Sequence, residues 1–262
     1  MTNEARRLQY LDALGIDVFE RRRGDSGTPA VPAEDLPAYR SRGPTEQSAA
    51  EPSPERTTVR SGPLVEVVRE PRKPEPPDWA ELRTTVASCT RCALHGGRTQ
   101  TVFGVGSRTA EWMIIGEAPG AEEDRRGEPF VGRAGRLLDE MLHALGLSRD
   151  SVFIANILKC RPPNNRDPAP VEAASCRPYL DRQIELVRPR LILAVGRIAA
   201  QQLLGSDETV GRLRGRVHSL STPQIPVVVT YHPAYLLRSP KQKREAWKDL
   251  CLARQVIGAH SA

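Results

Sequence analysis

Four cysteines stand in two spaced pairs: Cys89-Thr-Arg-Cys92, and Cys160 with Cys176, separated by 15 residues. Thiolates from two distant segments can close one tetrahedral set. Zinc would accept that set and so would an iron-sulfur cluster, and spacing alone does not choose between them. Cys251 has no spaced partner and reads as a small core hydrophobe.

Three polar motifs follow short apolar runs. Gly116-Glu-Ala-Pro-Gly120 is a glycine-bounded turn that can bring backbone N–H groups close to a ligand. It is neither G-x-G-x-x-G nor a Walker loop, so the dinucleotide and nucleoside-triphosphate signatures are missing. Gly104-Val-Gly106 reads as an ordinary turn. Glu122, Glu123 and Asp124 come next, then Pro129-Phe-Val-Gly132. Such a carboxylate trio is commonly a solvated face, but its position after a strand-end turn lets one member face a cleft. Asn156 closes the run Ile154-Ala-Asn156, where an amide either binds backbone or presents a donor and an acceptor to a ligand. His232 opens His232-Pro-Ala-Tyr-Leu-Leu-Arg238. It is either a satisfied structural residue or a donor to an oxygen developing negative charge. Leu236 and Leu237 read as loop residues without an evident core role. Beside Arg238, Lys241, Lys243 and Arg244 they suit a wedge pushed into stacked bases while cations hold phosphates.

The elements that must position these residues follow from hydrophobic patterning. Trp112 to Ile115, Val152 to Ile157, Leu191 to Val195 and Val227 to Tyr231 are short apolar runs bounded by Gly, Pro or polar residues, the pattern of buried strands. Helical spacing lies between them over residues 135–145, 171–187 and 197–204, and a final helix runs over about 241–257. Asp78 can cap a helix through Trp79, Leu82 and Val86 toward Cys89. The alternation predicts an α/β fold with a parallel sheet covered on both faces and its ligand at the carboxyl ends of the strands.

Composition bounds the rest of the 262 residues. Residues 24–77 contain 11 of the 23 prolines and little apolar periodicity, too little hydrophobic surface to offset the entropy of ordering. The predicted organisation is a short helical segment over 1–22, a disordered Pro-rich linker over 23–77 and a globular domain over 78–262. Leu8, Leu11 and Leu14 line one face of the first segment, which is too short to be stable alone and must dock on its own domain or on a protein partner. Residues 1–79 carry 12 basic and 14 acidic side chains and the remainder 26 and 18, so the net +6 divides into −2 and +8. A basic globular part favours nucleic acid over a membrane surface. No run approaches about 18 apolar residues and the N-terminus lacks a secretory pattern, so a monomer in the cytoplasm, with the nucleoid, is expected. There the thiols would stay reduced.

Taken together, Gly116-Glu-Ala-Pro-Gly120, Glu123-Asp124, Pro129-Phe-Val-Gly132, Asn156-Ile-Leu-Lys-Cys-Arg-Pro-Pro163, His232-Pro-Ala-Tyr-Leu-Leu-Arg238 and the four cysteines resemble the family 4 uracil-DNA glycosylases over about residues 78–257. The resemblance implies a three-layer α/β/α fold with a four-stranded parallel sheet. It also implies a structural 4Fe-4S cluster on Cys89, Cys92, Cys160 and Cys176, and hydrolysis of deoxyuridine in single- and double-stranded DNA. By motif position, Gly116, Ala118 and Gly120 would shape the uracil pocket, Phe130 would stack on the base, Asn156 would read its polar edge, and His232 would bind O2. Leu237, or Leu236, would fill the gap left by the flipped nucleotide, with Arg238 and Lys241 on the DNA. Ala118 stands where other branches of the superfamily carry a water-activating aspartate, so Glu123, then Glu117, are the candidates for positioning water or steadying the sugar cation. The basic insert that follows Cys160 in the branch trapping DNA covalently is missing, so ordinary turnover is expected. Two other readings remain: a catalytically silent nucleic-acid-binding protein on the same fold, and a zinc-stabilised nucleotide-binding module.

Overall fold

The computed structural model describes residues 78–259. The helical segment expected over 1–22 and the linker expected over 23–77 lie outside the described residues. Helix α1 (Trp79–Ala87) starts where the sequence indicates, with the Asp78 carboxylate accepting from Glu81 N at 2.9 Å and Leu82 and Val86 buried.

The described residues form one six-stranded sheet from β1 (Val105–Gly106), β2 (Trp112–Gly116), β3 (Phe153–Asn156), β4 (Leu191–Val195), β5 (Val217–Ser219) and β6 (Pro226–Thr230). Their order is β1-β3-β2-β4-β6-β5. The four expected runs are the central parallel strands β3, β2, β4 and β6. The expectation of four strands needs one correction: short antiparallel strands edge the sheet, β1 on β3 and β5 on β6. Gly104-Val-Gly106 is therefore not simply a turn. Strands of two and three residues carry no periodic signal of their own; pairing with the neighbouring edge makes them strands.

Side chains of the central strands alternate between two cores, as period-2 geometry demands. Trp112, Ile114, Ile154, Leu191, Leu193 and Val228 pack with α3 (Arg133–Ala144) and α8 (Lys243–Ala259). Met113, Ile115, Phe153, Ile192, Ala194 and Val229 pack with α4 (Pro170–Val187) and α5 (Arg197–Leu204). Both faces of the sheet are thus covered, which explains why the runs read as continuously apolar.

Three short helices were not evident from periodicity: α2 (Ala121–Arg126), α6 (Val210–Leu213) and α7 (Pro233–Arg238). The last corrects the reading of Leu236 as a loop residue without a core role. Pro233 occupies the first turn of α7, where its missing N–H costs nothing, and Leu236 is 1% exposed inside the core shared by α3 and α8.

Candidate active site

The chain leaves β2 and β6 toward the face covered by α3 and α8, and β3 and β4 toward the face covered by α4 and α5, and the carboxyl ends of all four strands open on one pocket of about 770 Å³. That size is within the ~300–1,000 Å³ typical of ligand clefts, and its location is the one open parallel sheets favour. Glu117, Ala118, Pro119 and Gly120 line it after β2, Asn156 at the end of β3, Gly196 and Arg197 after β4, and Tyr231 and His232 after β6.

His232 is held by its own helix. Its Nδ1 accepts from Ala234 N at 3.1 Å, capping α7. An accepting Nδ1 leaves the proton of a neutral ring on Nε2, so the imidazole retains a donor. Burial, helped by Arg238 and opposed by Glu123, lowers its pKa to about 4, which keeps the ring neutral at pH 7.

Asn156 is 2% exposed, and among the described residues nothing hydrogen-bonds its side-chain amide. The amide lines the pocket, so its donor and acceptor are available to a ligand there. Its register partner across the β2–β3 ladder is Gly116. A Cβ on Gly116 would lie 2.5 Å from Asn156 Oδ1 and 2.5 Å from Phe130 Cζ, so glycine there lets amide and ring approach each other. Phe130 lies roughly parallel to the His232 ring, with centroids 5.6 Å apart and planes at 28°. Its backbone is left-handed, φ 55°, a conformation that costs a non-glycine residue about 1–3 kcal/mol.

The carboxylates divide by what occupies them. Glu123 Oε2 accepts from Gly120 N at 3.1 Å, while Oε1 accepts from Val131 N at 3.1 Å and Gly132 N at 3.3 Å. It therefore fastens the turn after β2 to the segment carrying Phe130. Asp124 is buried, with both oxygens accepting from Thr99 N at 3.0 Å, and Glu122 pairs with Arg125. Glu117 lines the pocket with no hydrogen bond to its carboxylate among the described residues. Burial, then the nearby Asp167, raise its pKa, against a smaller opposing effect of Arg197.

Leu237 is 45% exposed beside Arg238, which lines the pocket, and Lys241 is exposed in the following turn. Leu236 points into the core instead. The pocket also takes in Asn165, Arg166, Asp167, Arg197, Tyr231 and Tyr235, none of which the sequence reading singled out. Arg197 carried a usable signal, since it stands two residues beyond a predicted strand end. The others come from the 162–167 loop and the segment after β6, which line the same pocket. Lys159 was also missed: fully buried, it donates from Nζ to Asn156 O at 2.9 Å and Gln183 Oε1 at 2.6 Å, and burial lowers its pKa to about 8.

Cys89, Cys92, Cys160 and Cys176 line a second, smaller cavity beside α1 and α4. Arg98 Nη1 donates to Cys160 Sγ at 3.1 Å, Lys159 N to Cys176 Sγ at 3.3 Å and Arg91 N to Cys89 Sγ at 3.5 Å. Burial pushes the Cys176 thiol up to about 11 and raises that of Cys160. Among the described residues no group of three or more His, Cys, Asp or Glu side chains is placed to hold a metal ion. The four sulfurs share a cavity wall with cationic donors, a set whose chemistry fits a thiolate-bound cluster. Cys251 is half-buried on α8, apart from this cavity.

Comparison with known proteins adds an independent line. The family profile described as the uracil DNA glycosylase superfamily matches residues 103–253. The Type-4 uracil-DNA glycosylase of Archaeoglobus fulgidus is 46% identical over 179 residues, covering 66% of this chain and 90% of the relative. Proteins of the same name from Pyrobaculum aerophilum and Sulfurisphaera tokodaii are 44% and 42% identical, covering 67% of this chain in each case and 92% and 83% of the relatives.

Proposed function

Because this chain belongs to the uracil DNA glycosylase superfamily, we propose that it removes uracil from DNA by hydrolysing the N-glycosidic bond of deoxyuridine. The product is an abasic site, the first step of base excision repair. The observation that carries this reading is the neutral, donor-bearing His232 facing the same pocket as the unsatisfied Asn156 amide and the Phe130 ring.

The flipped base would stack on Phe130, with Asn156 pairing with uracil O4 and N3–H and His232 Nε2–H directed at O2. As the N1–C1′ bond breaks, its electron pair passes to the base and spreads onto O2, where the imidazole N–H stabilises it. The oxygen of water bonds C1′ and loses a proton, and the released base takes up a proton from solvent. Between the two candidate carboxylates, Glu117 is the one free to orient that water or steady the sugar cation. Glu123 supports the pocket through the three backbone N–H groups it accepts from. Exposed Leu237 would fill the gap in the base stack while Arg238 and Lys241 neutralise phosphates.

The four cysteines would hold a 4Fe-4S cluster, whose contribution when bound is to cross-link the 89–92 segment to the 160–176 segment. Arg91, Arg98 and Lys159 supply the compensating charge and the N–H···S bonds. A silent nucleic-acid-binding protein would have no use for an amide that faces the pocket without a protein partner at a strand end.

The decisive assay incubates the protein with single- and double-stranded oligonucleotides bearing one deoxyuridine and reveals abasic sites with alkali. Strand scission at the deoxyuridine is expected, and intact oligonucleotides would refute the activity. Two variants refine it. Asn156→Asp replaces an amide donor by an acceptor facing uracil O4, a mismatch of roughly 1–3 kcal/mol, or about 5- to 150-fold in kcat/KM. An unchanged kcat/KM in oligonucleotide cleavage would remove Asn156 from base reading. If ionised Glu117 takes part, the acid limb of kcat/KM lies above the ordinary carboxylate value of 4.5, because its pKa is raised. Activity then falls as pH drops through that raised value, and Glu117→Gln should abolish the limb as well as slow the reaction. A pH profile of identical shape in the variant would exclude Glu117.

A further inference from the structure

Phe130 adopts a conformation that its residue type resists, so other groups must maintain it. The holding contacts come from outside the pocket. Arg149, in the loop after α3, donates from Nη2 to Pro129 O at 2.7 Å and from Nη1 to Phe130 O at 3.2 Å. The same Nη1 donates to Asp139 Oδ1 at 2.9 Å, an ion pair that anchors the guanidinium to α3. Gly135, also on α3, approaches so closely that a Cβ there would lie 1.7 Å from Phe130 O. On the far side Glu123 Oε1 takes the next two amides, Val131 N and Gly132 N. Two consecutive carbonyls are therefore bound by one planar fork and the two following amides by one carboxylate oxygen.

We propose that Arg149, steadied by Asp139, is a positioning residue for base recognition: its guanidinium fork on the Pro129 and Phe130 carbonyls keeps Phe130 left-handed and its ring beside Gly116 and His232. This rests on the glycosylase reading for its functional consequence. The geometry asks for arginine, since two N–H groups in one rigid plane meet two adjacent carbonyls, and an ammonium on a flexible stem cannot reproduce that. Arg149 does not itself line the pocket. Its effect must pass through Phe130, and that sets the test.

The full chain is compared as wild type, Arg149→Ala, Phe130→Ala and the double variant in the deoxyuridine cleavage assay, with a crystal structure of Arg149→Ala. Arg149→Ala is expected to lower kcat/KM about 30-fold, mainly through KM, yet to change it less than about twofold in the Phe130→Ala background. Arg149→Lys should recover only a small part of the loss. Should Arg149→Ala fail to fold, Asp139→Asn loosens the fork without removing it and is expected to cost about fivefold, again cancelled by Phe130→Ala. Additive losses in the cycle would overturn the proposal. So would an Arg149→Ala crystal structure in which Phe130 keeps its positive φ and its place beside His232, whatever the kinetics. A wild-type chain that releases no uracil would sink the glycosylase reading instead, while the Phe130 backbone in the variant crystals would still decide whether the clamp operates.

Discussion

Replacing His232 by alanine is expected to reduce kcat for uracil release by about 10²–10³-fold, the usual consequence of removing one preorganised donor to a developing oxyanion. Binding of uracil-containing DNA should change little, because the proposed wedge and phosphate contacts would fall on Leu237, Arg238 and Lys241. The imidazole is suited to the task by three linked features. Capping α7 through Nδ1 leaves the proton on Nε2, burial lowers the pKa to about 4, and attachment to the end of β6 fixes the ring in the pocket. A neutral imidazole is the form that donates here, so His232 should impose no change of rate at its ordinary pKa of 6.5. The stability linkage has a definite sign. The unfolded chain protonates this histidine at about pH 6.5 and the folded chain near 4, so acid weakens the fold progressively between those values. Above pH 6.5 this residue adds no pH dependence. Single-turnover rates with saturating enzyme, measured from pH 5 to 9, test the first point, and denaturant melts of wild type and His232→Ala from pH 4 to 8 test the second. A His232→Ala rate within threefold of wild type would remove the residue from catalysis.

Cys160→Ala is expected to abolish the visible absorption of the purified protein and to lose most of the folded material. Cys160 is buried among side chains of α1 and α4 and lines the cysteine cavity, and the proposed cluster would draw on four thiolates. Binding free energy at a structural metal site is folding free energy, on the order of 10 kcal/mol in small zinc domains. A whole domain commonly has only about 5–15 kcal/mol of stability, so losing one ligand is enough to unfold it. The base pocket should suffer with it, because Lys159 bonds the backbone of Asn156 and its own amide bonds Cys176 Sγ. Visible spectra and thermal melting of the variant beside wild type test this. Retained absorption with an unchanged melting temperature would take Cys160 out of the ligand set. Metal analysis of the wild-type chain separates iron from zinc.

The layered architecture was legible because the four central strands are covered on both faces and therefore read as uninterrupted apolar runs. The strand ends were legible for the same reason: Gly116, Asn156 and His232 are polar or glycine where those runs stop. The four cysteines were identified as one set by spacing, and they do share a cavity. The carboxylates were not separable in sequence. Glu117 and Glu123 are both near a strand-end turn, and nothing local shows that Glu123 is consumed by Gly120, Val131 and Gly132 while Glu117 is left free. Leu236 and Leu237 are adjacent and chemically identical, yet α7 turns one into the core and the other toward solvent, a difference set by the helix and its packing on α3.

Chain chemistry alone thus determined which residue types are available at the strand ends and in the cysteine pairs, since hydrophobic period and backbone propensity act over a few residues. Tertiary packing decided which of those side chains remain unoccupied. Arg149 meeting the Phe130 carbonyl, Asn156 facing Gly116 and His232 lying against Phe130 all join segments remote in sequence, and contacts of that kind form only once the fold brings the segments together.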